Sequence, residues 1–336
     1  MRPDSLAQTV FVETPARLHF GLLDLRGALG RVFGGIGTAA PAPTLLVSAR
    51  HADTLEVEGD DADRAIDFAR RFLASPCVAE GAQGNGRIGG AKLCVHHTIP
   101  PHAGLGSGTQ LALAVARTLA ELYDIVMDAP ALAQAVGRAR RSAIGTWTFA
   151  GGGLVLEGGR RSRGECVAPL LARLPLPSTW RCVVAVPNSA PGVNGSAEEA
   201  AFAQLPSPPE RDAEQVAHLV LMALLPAIAD GDLATFGAAL SAIQAINGRW
   251  FAPVQGGTFA PGPSEELVRH MAEWGAAGVG QSSWGPTVYG IVDGEDAGGR
   301  LADRVRTLMA TSRVAGTVYE GPFRSEGARV WRTPAS

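Results

Sequence analysis

The chain has 336 residues, 46% of them hydrophobic and 18% charged, with 42 glycines, 23 prolines and a formal net charge of −3, a composition that excludes disordered and fibrous chains and describes a folded protein with many tight turns. Its length permits two modest domains whose cores need no covalent staples. The near-neutral charge, without runs of one sign, gives nucleic acid or a membrane surface no electrostatic footing, so neither is expected as a partner and any anion must be held locally.

Between Val10 and Val57, β-rich pieces (TVFVE, TLLVSA, TLEVE) flank the glycine-dense GLLDLRGALGRVFGGIGTAAPAP, which predicts strands joined by a long functional loop. Apolar spacing predicts a helix over Asp63–Leu73, followed by a loop at EGAQGNGRIGG. KLCVHHTIP reads as a strand whose adjacent His96 and His97 point to opposite sides and cannot chelate one metal together. Thr109 to Tyr123 carries Leu111, Val115, Leu119 and Leu122 on one helical stripe, and a second helix is predicted from Pro130 to about Ser142, with Arg138, Arg140 and Arg141 as its solvated last turn. GGGLVLEGG predicts a hairpin and strand, and the proline-rich PLLARLPLPSTW places a domain boundary, dividing the chain into 1–175 and 176–336. Beyond it come a strand at RCVVAV, a helix around Ala197–Phe202, a helical region from Ala213 to Ile246, a serine-capped helix in GPSEELVRHMAEWG, and strands at TVYGIVD and VAGTVYE. No repeat of 20–50 residues is present, and the mixture of βαβ units with hairpins predicts an α+β fold.

The cysteines Cys77, Cys94, Cys166 and Cys182 lack C-x-x-C spacing and are expected to be buried, reduced thiols. The start MRPDSLAQTVFVE has no basic-then-apolar leader, and the apolar window from Leu219 is too short for a bilayer and contains Pro226, so cytoplasmic residence is expected. Lys92 is the only lysine, which leaves anion recognition to the planar fork of arginine.

In PPHAGLGSGTQLALAV, glycines let Gly104, Leu105, Gly106, Ser107, Gly108 and Thr109 turn with converging N–H groups at the positive end of a helix. It is neither a G-x-x-x-x-G-K-[ST] loop nor a G-x-G-x-x-G fingerprint. The segment resembles the phosphate loop of the GHMP kinase superfamily, whose version runs P-x-x-x-G-L-G-S-S-A-A. TPARLHFGLLD resembles that superfamily's N-terminal motif, and GVGQSSWGPTVYG its C-terminal glycine-rich motif. The resemblance spans nearly the whole chain and implies a two-domain GHMP kinase-like fold, with a ribosomal S5 domain 2-like N-terminal domain and an α+β C-terminal domain.

Where kinases of this type carry a catalytic aspartate in an S-G-x-D turn, RRSAIGTWTFAGGG puts Gly145 or Thr146, and the acidic residue of the kinase N-terminal motif aligns near Leu23, beside Asp24. RLHFGLLDLRGALGRVFGGIGTAA, the RSAIGTW turn, APVQGGTFA and GQSSWGPTVYG together resemble a different branch, β-ribofuranosylaminobenzene 5′-phosphate synthase. That branch joins the ribose 5-phosphate of phosphoribosyl pyrophosphate (PRPP) to 4-aminobenzoate or 4-hydroxybenzoate, losing carbon dioxide and pyrophosphate, in tetrahydromethanopterin biosynthesis. The resemblance implies an enzyme, a decarboxylating phosphoribosyltransferase, working as a homodimer with Mg2+.

Such a reaction needs an anion cradle at residues 104–109, a carboxylate for magnesium at Asp24, and a flat cationic slot for the benzoate. Arg17, Arg31 or Arg249 is expected as the carboxylate clamp, and Trp147, Trp250 and Trp284 as slot walls. His19 is expected to steer a proton or bind substrate, and Gln255, Gln281, Ser282 and Ser283 to hydrogen-bond ribose or phosphate. Two rivals stand beside this reading: an ATP-dependent kinase of the same superfamily, and a non-catalytic sensor of a phosphorylated ligand.

Overall fold

The structure is a computed structural model that describes residues 8–81, 89–161, 167–188 and 195–334. Most of the EGAQGNGRIGG loop, and Cys166, lie outside the described residues. In chain order the elements are β1 (Gln8–Asp24), β2 (Arg31–Ala52), β3 (Glu56–Gly59), α1 (Ala62–Leu73), α2 (Pro76–Gly81), β4 (Gly90–His97), α3 (Ser107–Leu122), α4 (Ala129–Ala135), α5 (Ile144–Gly151), β5 (Leu154–Glu157), β6 (Arg160–Arg161), β7 (Leu170–Leu174), β8 (Trp180–Pro187), α6 (Gly195–Gln204), α7 (Glu210–Leu219), α8 (Leu225–Asp230), α9 (Leu233–Gln255), α10 (Pro263–Glu273), β9 (Gly278–Gln281), β10 (Val288–Asp293), α11 (Glu295–Thr311), β11 (Gly316–Pro322) and β12 (Arg329–Pro334).

The first sheet runs β12-β1-β2-β4-β3, with β5 on the near half of β2 and β7 on β5. The glycine-dense stretch predicted as a long loop is instead the near half of the β1–β2 hairpin, with Leu22 opposite Gly35 and His19 opposite Gly37. Burial is the physical reason. Residues 34–41 are covered, and a methyl on Gly37 would lie 2.5 Å from Ile144 Cγ2, so the missing side chain lets α5 sit directly on the strand. Only residues 25–30 remain as the hairpin turn. Helix α3 crosses this sheet and buries Leu111, Leu113, Val115 and Leu119 completely, the pattern of a helix enclosed on nearly all sides.

The second sheet is antiparallel, β11-β8-β10-β9. Leu267, Met271, Leu301 and Val305 of α10 and α11 pack on its Val183 and Ala185, while Trp180 meets Phe236 of α9 with ring centroids 4.8 Å apart. Helix α9 also clasps the first sheet: Gln244 Nε2 donates to Phe20 O at 2.5 Å, and Asn247 both accepts from Leu22 N–H at 2.5 Å and donates to Leu22 O at 3.1 Å. The final strand returns to the first sheet, where Val10 faces Arg332, so a division at residue 175 separates the sheets but not the strand that closes the first.

Four local expectations are corrected. The helix predicted to reach Ser142 ends at Ala135, because Gly137 and Ala139 take φ of 70° and 61° and turn the chain aside. The predicted serine cap of α10 is absent: Gly262 occupies the cap position, Pro263 opens the first turn, and Ser264 Oγ donates to Pro286 O at 2.9 Å. Of the described cysteines, all free, only Cys182 is buried; Cys94 is half-buried, and Cys77 is exposed at the start of a one-turn helix. The apolar window from Leu219, expected to be too short for a bilayer, lies within a continuous helical run of 21 residues, Glu210–Asp230, long and apolar enough by length and composition alone to cross one, and the helical region predicted over Ala213–Ile246 is broken at Gly231, whose φ is 70°. The run opens with Glu210, Arg211, Asp212 and Glu214 and docks on α9, where Asp212 accepts from Trp250 Nε1 at 3.0 Å. His96 and His97 take separate hydroxyl partners, Ser48 at 2.8 Å and Thr44 at 3.1 Å.

Candidate active site

The turn between β4 and α3 ends at Gly106, whose φ of 77° lies in the left-handed region that costs other L-residues about 1–2 kcal/mol. A methyl there would sit 2.8 Å from Arg17 Cγ, because Arg17 runs beneath the loop. Its N–H donates to Leu105 O at 3.0 Å, and its guanidinium donates to Gly104 O and to Ser282 Oγ, the latter at 3.4 Å. Ser282 Oγ in turn donates to Gly104 O at 2.7 Å and accepts the His19 N–H at 3.0 Å. Three segments far apart in the chain are thus bolted together under the loop.

Above it stand more cations. A methyl on Gly108 would lie 3.0 Å from a guanidinium nitrogen of both Arg64 and Arg138. Arg64 pairs with Asp61 at 2.8 Å, whereas Arg138 lies over the Phe68 ring, 4.7 Å from its centroid, with a buried Nε that has no hydrogen-bond partner. Burial, reinforced by the charges of Arg64 and Arg71, pulls Arg138 down to about 10. A bound anion would relieve that strain on the charged form.

Beside the loop lies a cleft of about 920 Å³, within the size range of small-molecule sites; of residues 104–109 only Thr109 lines it, and Leu105 and Ser107 are buried. Arg17, Arg71, Arg138, Arg140 and Arg141 line it and, among the described residues, no carboxylate does. Its other wall is aromatic: Phe251 and Trp284 have centroids 4.7 Å apart, and Phe202 lies edge-on to both at 6.0 and 5.5 Å. Arg141 lies 5.5 Å from the Phe202 centroid, a cation beside a flat apolar slot.

On the floor, burial and the nearby Arg17 charge push the His19 imidazole down to about 3, so it is neutral at physiological pH. Ser142 Oγ lies 3.4 Å from His19 Nε2. Behind it, the wholly buried Glu157 accepts the Gly159 N–H at 2.7 Å, the Ala143 N–H at 3.3 Å, and a hydrogen bond from the Ser142 side chain. Desolvation outweighs these bonds and raises its carboxyl to about 7. Register explains the meeting: Glu157 pairs with Gly35, where a methyl would lie 3.4 Å from both Glu157 Oε1 and His19 Nε2.

Residues 69–152 match the model of the GHMP kinases N terminal domain, and residues 224–311 that of the GHMP kinases C terminal. Over its whole length the chain superimposes on a homoserine kinase from Cytophaga hutchinsonii with a TM-score of 0.73, at 16% identity and 98% coverage of each chain. Sequence likeness is closer elsewhere. The beta-ribofuranosylphenol 5′-phosphate synthase of Methanothermobacter thermautotrophicus is 33% identical over 320 residues, covering 91% of this chain and 94% of the relative. Its namesake from Archaeoglobus fulgidus is 35% identical over 300 residues, covering 86% and 89%. The chain belongs to the beta-ribofuranosylphenol 5′-phosphate synthase family.

In this synthase fold Arg17, His19, Thr109, Gln255, Gln281, Ser283 and Trp284 line the cleft, and Ser282 is buried beneath it. Gln281 Oε1 accepts the Ala260 N–H at 2.7 Å, and its Nε2 donates to Gln255 Oε1 at 2.9 Å, an amide pair that shapes the rim. Arg31 is exposed and donates to Gly159 O at 2.9 Å; Arg249 is exposed on α9 and pairs with Asp212 at 3.6 Å. Trp147 donates its Nε1 to Ala168 O at 2.8 Å, and Trp250 bonds Asp212, so neither is a wall of the cleft. Asp24 Oδ1 accepts the N–H groups of Arg26 at 2.6 Å and Gly27 at 3.4 Å, capping the hairpin turn. Among the described residues no group of three or more His, Cys, Asp or Glu could hold a metal, so the donor set does not form a protein cage for magnesium. The arginines at 138, 140 and 141 line the cleft instead of ending a solvated helix. Arg64, Arg71, Glu157, Phe202 and Phe251 carried no local motif that singled them out, and Ser142, though within the RSAIGTW turn, was given no role there.

Proposed function

We propose that this synthase condenses PRPP with 4-hydroxybenzoate or 4-aminobenzoate, releasing carbon dioxide and pyrophosphate. The single observation that carries the reading is the cleft with five arginines, no described carboxylate, and an aromatic wall. A polyanionic sugar and a flat aromatic acid are the pair of substrates such a lining suits. The diphosphate lies against Thr109 and Arg138 at the phosphate loop, which Arg17 braces from below, while Arg71, Arg140 and Arg141 leave charge for the 5-phosphate and the acid's carboxylate. As the bond from the anomeric carbon to the diphosphate oxygen breaks, these fixed cations stabilise the developing negative charge without reorganising.

The acceptor ring lies in the slot of Phe202, Phe251 and Trp284. Its carboxylate-bearing carbon attacks the anomeric carbon, and loss of carbon dioxide returns the bonding pair to the ring. Holding the two reactants in line supplies much of the acceleration. Magnesium would enter with the diphosphate and offset part of its charge, since no described carboxylate lines the cleft to hold it. The relatives' shared name specifies a ribofuranosylphenol, the product that 4-hydroxybenzoate would leave.

Incubation of the purified chain with PRPP, magnesium and each carboxyl-labelled acid tests the proposal. Equimolar labelled carbon dioxide and pyrophosphate are the expected products; ATP-dependent phosphoryl transfer without either would assign the chain to kinase chemistry instead.

A further inference from the structure

We infer that Glu157, Ser142 and His19 form a proton relay that accepts the phenolic proton of 4-hydroxybenzoate as the carbon–carbon bond forms and returns it as carbon dioxide leaves. The inference rests on the synthase reading above.

A neutral para hydroxyl is a weak donor into its ring; a phenolate is a strong one. Attack therefore needs the phenolic proton to depart as the ring carbon closes on the anomeric carbon and the diphosphate leaves. The product of that step is a cyclohexadienone that still carries the carboxylate. When the bond to the carboxylate breaks, its electron pair restores the aromatic ring, the para oxygen recovers its negative charge, and the proton comes back. The cycle consumes no net proton, so the enzyme needs a temporary seat for one rather than an acid or base from solvent.

By its likeness to the kinases the chain has Gly145 or Thr146 where they carry an aspartate, and a carboxyl from β5 sits behind the start of that turn, accepting the Ala143 N–H. Glu157 contacts Ser142, whose hydroxyl lies 3.4 Å from His19 Nε2, and both Ser142 and His19 line the cleft. The Ser142 hydroxyl and the neutral His19 imidazole can each donate to one neighbour while accepting from another, so both can pass a proton along. Energetics decide where the proton rests. An imidazole pushed down to about 3 by burial and Arg17 does not hold it at neutral pH, whereas a carboxyl raised to about 7 does so about half the time. The groups facing Glu157 are the N–H donors of Gly159 and Ala143 and the Ser142 hydroxyl, with His19 beyond. Capping two backbone N–H groups would be served as well by an uncharged acceptor. A fully buried carboxyl is costly to retain unless its proton is used.

The test uses the whole chain and two acceptors, 4-hydroxybenzoate and its 3,5-difluoro derivative, whose phenol ionises more readily. Glu157→Gln is expected to lower kcat on 4-hydroxybenzoate about 100-fold, the scale of a lost general base, with KM for PRPP unchanged. On the difluoro acid the deficit is expected to shrink below about tenfold, because the substrate then sheds its proton with less help. Ser142→Ala, which breaks the link but leaves the buried carboxyl its two backbone N–H donors from Gly159 and Ala143, is expected to show the same pattern and decides the matter alone if Glu157→Gln does not fold. An equal loss on both acids, or none, overturns the relay and leaves the synthase reading standing. A wild-type chain that releases no carbon dioxide from either acid overturns the synthase reading and the relay with it.

Discussion

Replacing Arg138 by methionine should make the free protein more stable and a poorer binder of PRPP. Arg138 falls from 12.5 to about 10 because it is buried near Arg64 and Arg71. Each unit of such a shift corresponds to about 1.4 kcal/mol between protonation states, and screening of this partly exposed cluster reduces the whole to about 1–2 kcal/mol of folding penalty. The sign is fixed: below about pH 10 the side chain is charged both folded and unfolded, so the penalty is present in full at neutral pH. Methionine keeps an apolar stem over Phe68 and loses about 0.5–1 kcal/mol of cation–π attraction. The net gain of about 1 kcal/mol should raise the melting temperature by about 1–3 °C. Binding moves the other way: a charge-assisted hydrogen bond to a phosphate oxygen contributes about 1.5–3 kcal/mol, so Kd for PRPP should rise about 10- to 100-fold. Differential scanning fluorimetry without ligand and calorimetric titration with PRPP read the two quantities. A lower melting temperature with unchanged affinity would show Arg138 to be a packing residue and refute the anion-site argument.

Gly106→Val should weaken PRPP binding more than tenfold in the same titration, because the left-handed turn costs about 1–2 kcal/mol for a residue with a Cβ and the side chain would meet Arg17 Cγ at 2.8 Å; unchanged affinity would remove the loop from the anion site. Glu157 should impose a pH dependence on stability. Its carboxyl rises from 4.5 to about 7 on folding, so the stabilisation is complete below pH 4.5 and lost as pH climbs through about 7, on the order of 2–3 kcal/mol in all. Chemical denaturation between pH 4.5 and 8 should show that decline in the wild type and a flatter profile in Glu157→Gln; parallel profiles would count against a raised carboxyl.

What could be read before any coordinates is what local spacing encodes. The loops at 104–109 and 281–284 announce themselves by glycine and serine spacing, the segment at Pro15–His19 only by its likeness to the superfamily's N-terminal motif, and the structure gathers all three around Arg17 and Ser282. Leu111, Val115 and Leu119 fix α3 by periodicity alone. The arginine wall was hidden because the turn that spreads Arg138, Arg140 and Arg141 along the cleft depends on Ala139, a non-glycine residue at φ 61°. Glu157 was hidden for a different reason. Nothing in LVLEGG separates a strand-end carboxylate facing water from one facing inward; only the register that sets it against Gly35 decides. The glycine-dense hairpin misled because glycine usually marks loops, whereas at Gly37 it marks the close approach of α5.

The pairing of β12 with β1, from Gln8 opposite Pro334 to Glu13 opposite Arg329, bears on how the protein is made. During synthesis the outer edge of β1 stays open until residues 329–334 leave the ribosome, so the first sheet can begin to assemble early but gains its last neighbour only after the second sheet has been translated. A nascent chain carries a long, unprotected strand edge throughout that interval, a template for misplaced pairing.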